Sequence, residues 1–252
     1  ITQQAELAVG SERHAAVLRR HLLAHCWSSD RHTLTGLITC TGRQEDDWSA
    51  DYRLYSSDLD ARRLFQPIVQ RSVALSEPTA PLVFNVDDTL LPKTGRTLQQ
   101  AGYYRDPLGP PFHTNLIYAL RMVQLSLAVP DATYARTHRT IPVAAKVIEK
   151  APKDECDPVL RQAYSQSRNA LDLLDEARQS LPKAHQDRPV ILCGDGHYTT
   201  ETTLRHLPEG VTYVGRLLKS AALFAPHKTK TGGKRGRGRP QTYGDPLPTP
   251  EE

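Results

Sequence analysis

The sequence predicts a mixed α/β fold in which a helical N-terminal region precedes a sheet-building core. Two observations predict it. Apolar residues recur at helical spacing through residues 1–78, whereas beyond residue 80 short apolar runs typical of buried strands alternate with helical stretches. The chain has 252 residues and is 38% hydrophobic, so it can bury a core in one or two domains.

The helical region contains two well-marked helices. Ser11 is a suitable N-cap for the first, whose apolar positions are Ala15, Val17, Leu18, Leu22 and Leu23. Residues 59–75 repeat the same period. His21 and His25 lie one turn apart, a spacing that can bind a metal, but no neighbouring residue completes a ligand set. We therefore expect exposed helix histidines, and a boundary at the proline-rich segment 77–81.

The core is predicted to alternate strands with helices. Strands are expected at residues 82–86, 189–194 and 211–218, with one or two further strands at 114–129 and helices at 157–181 and 199–207. Asp157 and Pro158 form a good helix start, and Pro182 ends the apolar stripe that follows. The prolines and glycines between residues 92 and 111 exclude a helix directly after the first strand.

Two carboxylates follow buried strands of this core. Asp87 comes after the first strand and Asp195 after the strand at 189–194, so neighbouring strands could bring both to one edge of a sheet. Carboxylate oxygens are ligands of hard cations such as Mg²⁺. An aspartate after a strand also commonly caps the next turn, which is the ordinary interpretation of either residue alone. Asp88 is the alternative first ligand, because adjacent strand residues point to opposite faces.

The positive charge of the chain is concentrated in one tract. The net charge is +4, and removing the six cations of residues 228–239 leaves −2 for the rest. This tract contains no acid and is rich in glycine; its cations are Lys228, Lys230, Lys234, Arg235, Arg237 and Arg239. A solvated loop and a contact for DNA phosphates are compatible interpretations. No apolar run is long enough to span a membrane, and the four separated cysteines indicate free thiols rather than disulfides.

One alternative is a phosphatase. The segment NVDDTLL is similar to the first motif of haloacid dehalogenase-type phosphatases, but Asn85 stands where that motif needs its nucleophile. A carboxamide cannot form an aspartyl-phosphate intermediate. The late acid of that family would fall on Thr199, and the helix it needs after the first strand is excluded. This alternative is rejected as the main hypothesis.

The order of several segments resembles bacterial insertion-sequence transposases of the DDE superfamily. The segments are LTGLITCTGRQEDDWSADYRLYS, NVDDTLLPKTG, GYYRDPLGPPFHTNLIYALRMVQLSLAVP, VILCGDGHYTTETTL, VTYVGRLLKSAALF and GRGRPQTYGDPLPTPEE. The resemblance implies a ribonuclease H-like core with a mixed sheet, in which Asp87 and Asp195 are the first two acids. It also implies three parts: a helical, DNA-binding-type region (1–78), the first part of the catalytic core (79–225), and a basic loop opening an insertion (226–252).

The implied chemistry is phosphodiester hydrolysis followed by strand transfer of the freed 3′-hydroxyl to target DNA. Asp87 and Asp195 would bind Mg²⁺ or Mn²⁺, while Lys93 and His197 are candidate phosphate contacts. The basic tract would hold the DNA backbone without recognising sequence. We expect the partners to be transposon ends and target DNA, with a homodimer on DNA, no membrane, and a location in the bacterial cytoplasm at the nucleoid.

The family's third acid is a glutamate on a late helix, beyond the insertion. Glu201 and Glu209 lie too close to Asp195 to take its place. The sequence begins at Ile1 rather than methionine and ends in a polar stretch, which suggests a fragment with an incomplete triad. A non-catalytic DNA-binding remnant of a transposase is therefore the alternative function.

Overall fold

The computed structural model describes residues 8–29, 32–57, 59–95, 98–110, 112–113, 115–134, 137–152, 154, 156–225 and 243–250. Its helices are α1 (Glu12–Trp27), α2 (Leu34–Cys40), α3 (Ser49–Tyr55), α4 (Ala61–Ala74), α5 (Pro158–Ala163), α6 (Gln166–Gln179), a 3-10 turn (Lys183–His185) and α7 (Glu201–Arg205). Its strands are β1 (Leu82–Pro92), β2 (Gly102–Arg105), β3 (Leu116–Pro130), β4 (His138–Ile148), β5 (Val190–Gly194), β6 (Val211–Gly215), β7 (Leu223–Phe224) and β8 (Pro246–Leu247).

Six strands of the described chain form one mixed sheet in the order β2-β3-β1-β5-β6, with β4 also paired to β3. Strand β3 pairs antiparallel with both β1 and β4. Strand β5 pairs parallel with β1, and β6 pairs parallel with β5. The predicted mixed α/β fold is confirmed, and the sheet is consistent with a ribonuclease H-like core. Strands β7 and β8 form a separate antiparallel pair.

Helices α4 and α6 pack against β3 and β4 and help to bury the core side of the sheet. On β1 the side chains alternate, so that Leu82, Phe84 and Val86 are buried in the same hydrophobic cluster as Val73 of α4 and Leu174 of α6. Burying such a side chain stabilises the fold by about 1.5–3 kcal/mol. Helix α4 thus joins the sheet core, while a smaller cluster around Leu18 joins α1 to α3, with Leu64 of α4 packed against it. The division of the chain into domains stays a prediction.

Several elements differ from the prediction, among them the short strands β2, β7 and β8, which were not predicted. Strand β1 extends to Pro92, because its pairing with β3 continues beyond the expected end at residue 86. Strand β4 was not predicted. The single helix expected at 157–181 is two helices, because Ser165 caps α6 and the Asn169 side-chain amide donates to the carbonyls of Ala163 and Ser165 at 2.8 and 2.9 Å.

The prediction of exposed helix histidines is wrong for His21. This residue is 3% exposed, and its Nε2 lies 2.7 Å from Oδ1 of Asp51, itself 1% exposed. The Nδ1 atom lies 2.9 Å from the Tyr55 hydroxyl. Sequence spacing gave no sign of this contact, because its partners lie on α3, 30 and 34 residues further along the chain. No helix in the described ranges is long and apolar enough to cross a membrane.

Candidate functional site

A cleft opens where the two neighbours of β1 differ in length. The pairing of β1 with β5 ends at Asn85 and Cys193, whereas its pairing with β3 continues to Pro92. One edge of β1 is therefore uncovered from residue 86 onward. The cleft at this edge has a volume of about 700 Å³, and its polar lining includes Asp87, Asp88, Asp195, Arg105, Arg121, Gln166 and His197.

Asp87 and Asp195 occupy matching positions just beyond the point where β1 and β5 stop pairing. The last parallel pair joins Asn85 to Cys193, and each aspartate follows its member of that pair by two residues. Asp87 lies within β1, whereas Asp195 lies in the turn directly after β5, and both line the cleft. Asp87 is exposed, and its Oδ1 accepts a hydrogen bond from the backbone N–H of Asp88 at 2.8 Å.

Asp88 is held differently, on the opposite side of β1. Its Oδ1 accepts a hydrogen bond from the Tyr198 hydroxyl at 3.4 Å, and its Oδ2 lies 3.5 Å from Nε of Arg121. The side chain of Asp88 is 19% exposed. An adjacent guanidinium compensates the charge of this carboxylate, which leaves Asp87 as the less compensated of the two acids.

The turn after β5 fixes the position of Asp195. Its Oδ1 accepts hydrogen bonds from the backbone N–H groups of His197 at 2.9 Å and Tyr198 at 3.3 Å. The Thr199 hydroxyl donates to the carbonyl of Asp195 at 3.1 Å. The sequence interpretation of an aspartate that caps a turn is therefore correct for one oxygen of Asp195, and no described residue donates a hydrogen bond to the other, Oδ2.

Tyr198 supports the site from the core side. It is 1% exposed, and burial, followed by the nearby Asp88 carboxylate, raises the pKa of its hydroxyl well above the usual range. Gly194 makes room for this ring. A Cβ at position 194 would lie 2.9 Å from Cβ of Tyr198 and 2.8 Å from the Tyr213 hydroxyl oxygen, closer than side chains pack.

The other predicted site residues are only partly brought to the cleft. His197 lines it, and its Nε2 contacts Oε1 of Gln166. Lys93 is exposed just after β1, where its backbone N–H donates to the carbonyl of Tyr118 at 2.9 Å, and its side chain is absent from the cleft lining. The basic tract, with Lys228, Lys230, Lys234, Arg235, Arg237 and Arg239, lies outside the described residues.

Among the described residues, no glutamate lines the cleft with the two aspartates. Glu201 forms an ion pair with Arg205 on the surface of α7 at 2.7 Å. Within the part of the chain that the structure describes, no three histidine, cysteine, aspartate or glutamate side chains cluster closely enough to hold a metal ion. The assignment of Asp87 and Asp195 as ligands of a metal therefore stays a prediction.

Sequence analysis missed Arg121, Gln166 and Tyr198 as site residues. Arg121 interrupts an otherwise apolar strand, and this interruption was the available signal. A cation on the core face of a strand needs a nearby acid, which here is Asp88. Nothing in the local sequence distinguishes Gln166 or Tyr198, since their roles depend on how α6 and the turn after β5 pack together.

The comparison with protein families gives a match to the family described as DDE superfamily endonuclease, over residues 10–252. The match therefore covers nearly the whole chain, including every residue of the cleft. No curated protein matches the chain.

Proposed function

Because the chain belongs to the DDE superfamily endonucleases, we propose that it is an insertion-sequence transposase acting on the ends of its element. Enzymes of this superfamily act on DNA and generally use divalent metals. The proposed reaction is hydrolysis of a phosphodiester bond followed by attack of the freed 3′-hydroxyl on target DNA. The DNA is proposed to be bound by a homodimer in the bacterial cytoplasm.

The observation that carries the proposal is the position of Asp87 and Asp195. They lie two residues beyond the last paired residues of the parallel strands β1 and β5 and line one cleft, at the edge where β1 is uncovered. Two carboxylates in this arrangement suit Mg²⁺ or Mn²⁺, which combine one or two protein carboxylates with water and substrate phosphate oxygens. Asp87 is preferred to Asp88 because Arg121 already compensates the charge of Asp88.

The donor set fits a hard divalent cation, since both candidate ligands are oxygens and each aspartate has an oxygen without a described protein partner. When bound, such an ion would supply Lewis-acid polarisation of the phosphodiester and a reactive water. The chain's own residues would hold and orient the DNA. Tyr198, kept protonated by its raised pKa, and Arg121 fix Asp88 from the core side.

Cations around the cleft are proposed to hold the DNA backbone. Arg105 lines the cleft beside the aspartates, and His197 sits next to Asp195. Lys93 follows β1 and is proposed as a more distant phosphate contact. The tract from Lys228 to Arg239 is proposed as a further backbone contact from its charge alone.

Nicking of supercoiled plasmid by the 252-residue chain, with Mg²⁺ or Mn²⁺, tests the proposal. Asp87→Asn or Asp195→Asn should lower the nicking rate about a thousandfold, because each removes several kcal/mol of transition-state stabilisation. Asp88→Asn should retain more activity than Asp87→Asn. Asp172→Asn, on the exposed side of α6, is the matched control and should leave the rate unchanged.

Three other outcomes would change the assignment. Full activity in Asp87→Asn but not in Asp88→Asn would move the first ligand by one residue. DNA binding without any metal-dependent nicking would leave the non-catalytic remnant as the function. Metal-dependent hydrolysis of an aryl phosphate, lost in Asp87→Asn, would favour the phosphatase.

A further inference from the structure

A second pocket lies beside the cleft, where the ends of β2 and β4 meet the junction of α5 and α6. We call it the side pocket; its lining includes Tyr104, Arg121, Lys150, Arg161, Tyr164 and Gln166. Its volume of about 470 Å³ lies in the range of sites that bind small ligands. Arg121, Gln166 and His197 line both the side pocket and the cleft, so the two spaces are neighbours.

The side pocket is positively charged. Three cations, Arg121, Lys150 and Arg161, line it, against one acid, Glu149. The guanidinium carbon of Arg121 lies 4.6 Å from the ring centroid of Tyr104, and Nζ of Lys150 lies 5.6 Å from the same centroid. The tyrosine ring thus holds two cations without neutralising either. No acid in the described ranges lies within ion-pair distance of Arg161.

The start of α6 adds donors to the same pocket. Ser165, Gln166 and Ser167 line it, and the 14-residue helix directs its positive end there. Nε2 of Gln166 is buried, and no described residue accepts a hydrogen bond from it. Arg121 is already paired with Asp88, so the charge available to an anion comes mainly from Lys150 and Arg161. The helix N-terminus and the unused amide donor of Gln166 also favour an anion.

We propose that the side pocket binds a phosphate, together with its nucleoside, from an unpaired stretch of the DNA strand that leaves the cleft. This inference rests on the proposed function, which brings the strand to Asp87 and Asp195. A single strand suits the pocket better than a duplex does, because the bases of a duplex are paired and stacked on one another, whereas an unpaired base can stack on an aromatic side chain. Tyr164, half-buried in the lining, offers a ring for base stacking.

The test compares the affinity of the 252-residue chain for two duplexes of identical sequence, one blunt and one with a five-nucleotide single-stranded overhang. Fluorescence anisotropy in EDTA at fixed salt measures binding without cleavage. The wild type should prefer the overhang, and Lys150→Gln with Arg161→Gln should weaken overhang binding about tenfold through two lost charge-assisted contacts. Affinity for the blunt duplex should change much less.

A charge-matched control is Lys183→Gln with Arg205→Gln, which removes two cations that do not line the side pocket. It should keep the wild-type preference for the overhang. A neutral methylphosphonate linkage in the overhang gives a second measurement that leaves the protein unchanged. It should weaken wild-type binding, but not that of the pocket variant, which has already lost the contact.

The outcomes separate this inference from the proposed function. Suppose that the wild type binds both duplexes. If the pocket variant still prefers the overhang, or if the methylphosphonate lowers the DNA affinity of both proteins equally, the side pocket does not bind the strand. The transposase proposal is then unaffected. If the wild type binds neither duplex, both proposals fail. Tight binding of a free mononucleotide that competes with neither duplex would make the pocket a nucleotide site unrelated to DNA.

Discussion

The helical region and the sheet edge each contain a carboxylate of interest, and their surroundings are opposite. Asp51 is 1% exposed; its Oδ1 lies 2.7 Å from Nε2 of His21 and its Oδ2 lies 3.4 Å from Nη1 of Arg43. Asp87 is exposed, and its described hydrogen-bond donor is one backbone N–H. Asp195 likewise accepts only backbone N–H groups among its described contacts.

The difference indicates which acids hold the fold together and which can bind a ligand. A buried carboxylate must have partners on its oxygens, because an uncompensated charge away from water is costly. An exposed carboxylate with an unused oxygen costs little and can accept a cation. Asp51 is therefore a structural acid that joins α1 to α3, while Asp87 and Asp195 are exposed, as the proposed metal site requires.

The largest effect is expected when a buried acid and an exposed acid are each replaced by alanine. Asp51→Ala should lower the free energy of unfolding by about 3–5 kcal/mol, because it leaves buried groups without their partner. Asp87→Ala should change it by about 0.5 kcal/mol or less, as surface substitutions do. Urea unfolding followed by circular dichroism measures both. Equal losses in the two variants would remove the distinction between structural and available acids.

A second test asks whether the sheet edge depends on close backbone packing. Gly194→Ala should cost about 1–3 kcal/mol, because the new methyl group pushes against Tyr198 and Tyr213. It should also lower metal-dependent nicking, since the turn that carries Asp195 must move. Gly95→Ala is the control, because a Cβ there meets nothing within 4 Å. Unchanged stability and nicking in Gly194→Ala would show that the turn is not held in this way.

The smallest expected effect concerns pH. Burial, followed by a nearby aspartate, raises the pKa of Tyr198 at the sheet edge and of Tyr55 in the helical region. In the unfolded chain a tyrosine ionises near pH 10, so each hydroxyl contributes stability below that pH, and this contribution is lost as pH rises above it. For Tyr198 the loss between pH 9 and 11 should be about 1.4 kcal/mol.

Urea unfolding at pH 9 and 11 measures this loss. Tyr198→Phe should remove most of it, whereas Tyr55→Phe should have a smaller effect, because Tyr55 is 57% exposed and solvent screens its interaction with Asp51. If Tyr55→Phe reduced the pH dependence of the unfolding free energy more than Tyr198→Phe did, Tyr55 would be the more strongly held of the two tyrosines. Identical pH dependence in the wild type and both variants would mean that neither hydroxyl is held in its protonated form.

The sequence alone determined the class of the fold and the elements with strong local signals. Ser11 caps α1 as predicted, its side chain accepting a hydrogen bond from the backbone N–H of His14 at 3.2 Å. The apolar runs located the central strands β1, β3 and β5, although β1 continues six residues beyond its predicted end. These signals are local, because caps and apolar periodicity act within a few residues of the chain.

Strand β4 was missed because its sequence contains Pro142, which argues against a paired strand. In the folded chain Pro142 pairs with Ser126, and the register shifts between Leu125 and Ser126. An irregularity of this kind tolerates a residue without a backbone N–H. Only the position of β3 alongside decides that this segment is a strand.

Asp87 and Asp88 show that local sequence does not specify the surroundings of a site residue either. The sequence determined that one acid of this pair and Asp195 follow buried strands, but it left Asp87 and Asp88 as alternatives. Tertiary structure separates them, since Arg121 and Tyr198 reach Asp88 from β3 and from the turn after β5. Adjacent strand residues face opposite sides of a sheet, so their surroundings come from distant parts of the chain that local sequence does not specify.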